Sequence, residues 1–165
     1  MADVCCGTGA LAAVVAARLP RARVVATDLD PVAVACAREN AATYGFEVGE
    51  GDLCAGLPAT LRAGVDVLVA NVPHVPTAEL IHLPRDTRAH EPVAAHDGGA
   101  DGLAVLGRLA DQSRAWLRPG GVLAVELADR QASAGVALLE AAGLSARQAR
   151  DEDHRTSVVT GRLSR

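Results

Sequence analysis

Short apolar runs alternate with helical stretches from the first residue onward, and this alternation limits the possible folds more than any other feature. Residues 1–6 read as a strand, and residues 10–19, apolar and rich in alanine, as a helix stopped by Pro20. Residues 23–27 read as a second strand. Asp30-Pro31 starts a helix running to about residue 43, before Gly45. Aspartate can accept the free N–H groups of a first turn, and proline is already set at the helical φ. Residues 46–48 and 65–70 are further strands, the second apolar enough to be buried and central. Residues 75–99, rich in proline and glycine, read as one long irregular loop of the kind that usually carries function. Residues 101–117 read as a helix stopped by Pro119-Gly120-Gly121, 122–127 as a strand, and 129–142 as a helix that Gly143 ends. Residues 144–149 and 157–162 close the chain as an antiparallel pair.

Such alternation predicts an α/β domain: a doubly wound, mostly parallel sheet with helices on both faces. A length of 165 residues suits a single domain over 1–165 with a sizeable core. The first strand is short, because the chain begins almost at the glycine turn Gly7-Thr8-Gly9. That predicts either a shortened central strand or a truncated start.

Sheets of this kind bind ligands beyond the carboxyl ends of their strands, at the point where the strand order reverses. The Gly7 turn, Asp28, Asp52 and Asn71 all fall at such ends. Gly7 and Gly9 would let the backbone approach a ligand closely, with the N-terminus of the next helix aimed at it. Asp28 could accept both hydroxyls of a ribose, and Asp52, after Gly51, an adenine amino hydrogen. Gly7-Thr8-Gly9-Ala10-Leu11-Ala12 with Asp28 also fits a dinucleotide fingerprint. Asp3 argues against it, since a carboxylate beside the turn is unhelpful to a pyrophosphate but suits a cationic amino-acid moiety. S-adenosylmethionine, with its ammonium and sulfonium, fits better.

Asn71-Val72-Pro73-His74, directly after the apolar run 65–70, forms a rigid polar clamp suited to gripping a planar NH2 group. The other reading of Asn71 is a cap of its own loop through a side-chain hydrogen bond.

Composition removes several classes of function. The net charge is −4, and all 16 basic residues are arginines scattered along the chain, so no nucleic-acid partner is expected. With no lysine there is no phosphate-loop lysine, Schiff base or Ser-Lys dyad. Tyr44, Phe46 and Trp116 offer few stacking platforms, and Trp116 reads as core. Cysteines 5, 6, 36 and 54 form no Cys-x-x-Cys pair, and no two histidines stand four apart, so no metal is expected. The cysteines read as reduced, mostly buried packing residues. No apolar stretch reaches the ~18 residues of a membrane span and no leader opens the chain, so a cytoplasmic protein without membrane contact is expected.

Taken in order, Asp3-Val4-Cys5-Cys6-Gly7-Thr8-Gly9, Asp28-Leu29-Asp30-Pro31, Gly51-Asp52-Leu53, Asn71-Val72-Pro73-His74, His90-Glu91-Pro92 and Gly98-Gly99-Ala100-Asp101-Gly102 resemble the protein-(glutamine-N5) methyltransferases. That class modifies the Gly-Gly-Gln tripeptide of peptide-chain release factors. The resemblance spans essentially the whole chain. It implies a seven-stranded, Rossmann-like methyltransferase sheet with S-adenosylmethionine over Gly7 and Gly9. Asp3, Cys5, Cys6, Thr8 and Leu29 would lie around the cofactor, Asp28 on its ribose, and Gly51, Asp52 and Leu53 near its adenine. It implies Asn71 as the catalytic residue, touching both cofactor and acceptor, and a protein substrate carrying a glutamine. The Asn71 side-chain oxygen and the Val72 carbonyl could each accept one amide N–H, with Pro73 aiming the backbone.

Three departures stand out. Val72 and His74 replace Pro and Tyr of the usual Asn-Pro-Pro-Tyr, His96 replaces a leucine, and a chain without the family's preceding helical docking domain is expected. His74 could stack on a planar amide, and once protonated would repel a sulfonium. His90-Glu91-Pro92 reads as a turn with Glu91 paired to Arg88. Rival readings are methylation of a nucleic-acid base and a non-catalytic S-adenosylmethionine-binding protein decayed from an enzyme.

Overall fold

The computed structural model describes residues 1–151 and 156–164. Among them seven strands form one sheet: β1 (Ala2–Val4), β2 (Val25–Asp28), β3 (Glu47–Glu50), β4 (Val65–Ala70), β5 (Leu117–Ala128), β6 (Leu144–Asp151) and β7 (Thr156–Leu163). Five α-helices accompany it: α1 (Ala10–Arg18), α2 (Pro31–Tyr44), α3 (Arg85–His90), α4 (Ala104–Ser113) and α5 (Asp129–Ala141). The strand order is β3-β2-β1-β4-β5-β7-β6. The first five strands run parallel and β7 runs antiparallel to both its neighbours, as the sequence predicts.

The alternation of side chains along each strand divides the core in two. Val25 joins a large cluster with Leu68, Leu106, Leu109, Leu123 and Leu139, which seats α4 and α5. Its neighbours Val24 and Ala26 join a smaller cluster with Ala12, Ala13, Ala16 and Phe46, which seats α1 on the other face. Trp116 is buried, with the Arg62 guanidinium 4.8 Å from its ring centre.

β1 is only three residues long, yet Ala2 and Val4 are wholly buried between β2 and β4. It is shorter than the 1–6 expected, because Cys5 turns to φ +56 and leaves the strand. The sheet reverses direction between β1 and β4, whose carboxyl ends Val4 and Ala70 lie side by side. α2 begins where Asp30-Pro31 places it: the Asp30 carboxylate accepts the Val32 N–H at 2.9 Å, and Gly45 at φ +78 ends the helix.

Residues 75–99 are not irregular throughout. Thr77–His82 is a 3-10 turn, α3 follows, and Val93–Ala95 is another 3-10 turn. Pro76, Pro84 and Pro92 stand immediately before these three, each with extended ψ. α4 is shorter than the helix expected over 101–117. Gly102 at φ +78 cannot be helical, and the Asp101 carboxylate accepts the Leu103 N–H at the true start. At the other end Leu117 already pairs with Val65 in the sheet. Val67 next pairs with Val122, so Pro119-Gly120-Gly121 bulges out of β5 rather than separating helix from strand.

Candidate active site

The carboxyl ends of β1 and β2 are tied together by backbone and carboxylate. The Cys6 N–H donates to Thr27 O at 3.0 Å and the Gly7 N–H to the Asp28 Oδ2 at 2.8 Å. The other Asp28 oxygen accepts the Asp30 N–H at 2.9 Å. Each oxygen keeps a lone pair for a hydroxyl, so the pinned carboxylate can still receive a ribose. The two glycines differ. At Gly7, φ +54, a Cβ would meet nothing within 4 Å, so this residue borders open space. At Gly9 a Cβ would stand 2.9 Å from Phe46, so its smallness serves packing of α1 rather than approach to a ligand. Asn40 donates to the Thr8 carbonyl at 2.9 Å and holds the turn from α2.

Asp3 lies beneath this turn, 3% exposed. One carboxylate oxygen accepts the Ala12 N–H in the first turn of α1 at 3.1 Å; the other has no hydrogen bond among the described residues. Burial pushes its pKa up to about 6, against the Ala12 hydrogen bond and with help from the Asp28 charge. Burial and the neighbouring carboxylates push the Cys5 and Cys6 thiols up to about 12, so both stay protonated and serve as packing groups. Cys36 is exposed, unlike the mostly buried set expected.

At the end of β3, Gly51 packs against a 3-10 turn over Leu53–Gly56, where a Cβ would meet the Gly56 nitrogen at 2.5 Å. Leu53 adopts φ +52 and is buried, and its carbonyl accepts the Thr27 hydroxyl at 3.1 Å. Asp52 is ion-paired with Arg108 of α4, a partner the sequence does not reveal. Leu29, next to Asp28, is an apolar side chain 62% exposed.

These observations test the expected cofactor. The second Asp3 oxygen suits an ammonium, the Asp28 carboxylate a ribose, and the Leu29 side chain the flat face of an adenine. The residues present fit S-adenosylmethionine.

Beyond β4 the clamp has a support that residue pattern alone does not show. Val72 is 1% exposed and anchors the segment in the core, while Asn71 beside it is exposed. No described residue hydrogen-bonds the Asn71 carboxamide, so it is not a loop cap. The His74 Nδ1–H donates to the Val72 carbonyl at 2.9 Å, which tethers the ring to that oxygen. The Val75 N–H donates to His96 O and the Gly98 N–H returns to Val75 O, both at 2.9 Å, so residues 96–99 run beside the clamp as a short ladder. Asp97 accepts the Thr77 hydroxyl at 2.7 Å. Gly102 has no room for a side chain: a Cβ would lie 2.3 Å from the His74 carbonyl oxygen. Gly98-Gly99-Ala100-Asp101-Gly102 is thus the buttress of the clamp, where the sequence shows only turn chemistry. Gln131, absent from the sequence reading, donates to His74 O at 2.8 Å from the start of α5.

A cavity of about 250 Å³ opens beside His74, walled by Val75, Leu83, Pro84 and Ala128 and rimmed by the Glu79–Arg130 ion pair. Glu91 does not pair with Arg88, which donates to Leu83 O at 3.0 Å; its carboxylate lies 3.0 Å from His96 Nε2. Among the described residues no three His, Cys, Asp or Glu side chains converge on a metal position. No helix there is long and apolar enough to cross a membrane.

A "Release factor glutamine methyltransferase" of Moorella thermoacetica is 44% identical over 144 residues, covering 87% of this chain and 50% of that protein. A "Ribosomal protein uL3 glutamine methyltransferase" of Burkholderia pseudomallei is 37% identical over 139 residues, covering 79% of this chain and 45% of that one. The chain thus spans about half the length of the curated relatives it matches. A solved methyltransferase structure from Pyrococcus furiosus superposes with a TM-score of 0.72 at 16% identity, covering 99% of this chain and 74% of the other, a likeness of fold. The family described as "Methyltransferase domain" matches residues 1–89. On that match, which takes in more than half of its residues, the chain belongs to the methyltransferase-domain family and has the Rossmann-like fold of class I S-adenosylmethionine-dependent enzymes.

Proposed function

We propose that this chain methylates the side-chain amide nitrogen of a glutamine in a protein substrate. The observation that carries this reading is the free, exposed Asn71 carboxamide at the end of β4, beside the Val72 carbonyl and one strand from the Gly7 turn. S-adenosylmethionine, when bound, supplies an electrophilic methyl group on a sulfonium. The acceptor nitrogen is a poor nucleophile, because its lone pair is delocalised into the amide. The Asn71 side-chain oxygen and the second lone pair of the Val72 carbonyl accept its two N–H groups. That orients the nitrogen and favours the charge that develops on it. The tether from His74 Nδ1 fixes that carbonyl, and the proton that the methylated nitrogen sheds passes to solvent.

The relatives, named for release factors and for a ribosomal protein, support a protein substrate. We place the peptide that carries the acceptor in the cavity beside His74, with the amide nitrogen outside it against Asn71 and Val72. The test is labelled-methyl transfer to a peptide containing Gly-Gly-Gln and to a lysate, comparing wild type with Asn71→Ala. Label in the glutamine side chain, at least about 100-fold weaker in the variant, is the expected result. Label elsewhere, or equal label in both proteins, refutes the reading.

A further inference from the structure

We propose that Gln131 is a positioning residue of the acceptor site, an inference that rests on the glutamine-methylating reading. It holds the peptide of His74, and through it the Val72 carbonyl and Asn71. Gln131 lies in the first turn of α5 and is 6% exposed. Its amide nitrogen donates twice, to His74 O at 2.8 Å and to Asp101 O at 3.2 Å. Its amide oxygen is buried and has no partner among the described residues. Exchanging oxygen and nitrogen would aim the oxygen at two carbonyls, so the orientation is determined. Gly102 makes the contact possible, since a Cβ there would lie 2.4 Å from the Gln131 nitrogen. The adjacent Arg130 grips Glu79 through two bonds of 2.9 and 2.6 Å. α5 therefore holds the clamp segment at both 74 and 79.

An apolar side chain of the same length would remove one buried, unsatisfied acceptor, but it would also leave the His74 and Asp101 carbonyls without this donor. These two effects on stability oppose each other, so a stability change alone does not identify what the amide does. What the amide supplies is a fixed location for the His74 carbonyl, and small displacements of such a scaffold lower turnover strongly.

The experiment compares wild type with Gln131→Met and Gln131→Glu. For Gln131→Met we expect a Tm unchanged or lowered by a few degrees, unchanged cofactor Kd, acceptor KM within about two-fold and kcat, measured well below the Tm, lowered about ten-fold or more. The His74 imidazole NMR signals should move in the same variant. For Gln131→Glu, the charged carboxylate opposes both carbonyls, while its protonated form can donate to one. At saturating cofactor its kcat relative to wild type should therefore rise toward acid pH. Unchanged kcat and unmoved His74 signals in Gln131→Met overturn the proposal, as does a kcat loss that only follows a lowered Tm. If wild type transfers no methyl to a glutamine peptide, the acceptor assignment falls, and the His74 signals alone then decide the role of Gln131.

Discussion

Cofactor binding should release a proton from Asp3. The folded chain holds this carboxyl at about 6, against an ordinary 3.8, because it is buried beneath the glycine turn. At about 1.4 kcal/mol per pH unit, the ionised carboxylate costs the folded chain about 3 kcal/mol. The sign follows from proton counting. Between about pH 4 and pH 6 the native chain holds a proton that the unfolded chain has lost, so stability falls as pH rises through that window and the full cost is present above it. An ammonium placed on the free Asp3 oxygen offsets the cost by stabilising the charged form. Affinity for S-adenosylmethionine should then rise up to about ten-fold per pH unit between pH 4 and 6, about 100-fold in all, and level off above. Calorimetry near pH 5 in buffers of different ionisation enthalpy should show close to one proton released. Asp3→Asn removes the buried charge: its affinity at pH 7 should fall, its pH dependence vanish, and its stability at pH 7 rise by up to about 3 kcal/mol. Equal pH slopes in wild type and Asp3→Asn, or binding without proton release, refute the reasoning.

An adenine amino group on Asp52 would compete with Arg108 for the carboxylate. Because the pair is exposed, Arg108→Ala should tighten cofactor binding by no more than about five-fold and flatten its salt dependence, read from Kd at two ionic strengths. His74→Phe keeps a ring but loses the tether to Val72 O, so kcat should drop about ten-fold with cofactor Kd unchanged, by steady-state kinetics. Ala63 is exposed at φ +52, where glycine is unstrained; Ala63→Gly should raise stability by about 1 kcal/mol in urea titration, with activity unchanged.

The cofactor half of the cleft was legible in the sequence because each residue there acts through its place at a strand end. Asp28 and Gly7 are 21 residues apart, yet alternation of strand and helix brings both to one edge of the sheet, where they bond. Periodicity could not show that Gly9 answers to Phe46 or that Asp52 answers to Arg108, since both partners come from elements whose rotation is set by packing. The bulge at Pro119-Gly120-Gly121 misled in the same way. Proline and glycines read as a helix stop, while the register against Val65 and Val67 makes them an insertion within a strand.

The clamp shows why the second half was harder to read. Asn71 and Val72 announce their chemistry locally, but their placement depends on residues 24 to 60 positions further along. His96 and Gly98 bond Val75, Gly102 leaves space against His74, and Gln131 fixes the His74 carbonyl. None of these is a catalytic type at a catalytic spacing; glycines and a lone glutamine look like turn and surface. What distinguishes them is what a change would do. Gly102→Ala forces a Cβ to within 2.3 Å of the His74 oxygen from a backbone at φ +78, so the clamp must shift even where the fold tolerates the strain. Such a variant should bind S-adenosylmethionine as wild type does, because Asp3, Gly7 and Asp28 lie on the other side of the strand reversal, and yet lose methyl transfer. Loss of both together would mean that the two halves are not separately supported, and that the clamp owes its geometry to the sheet alone.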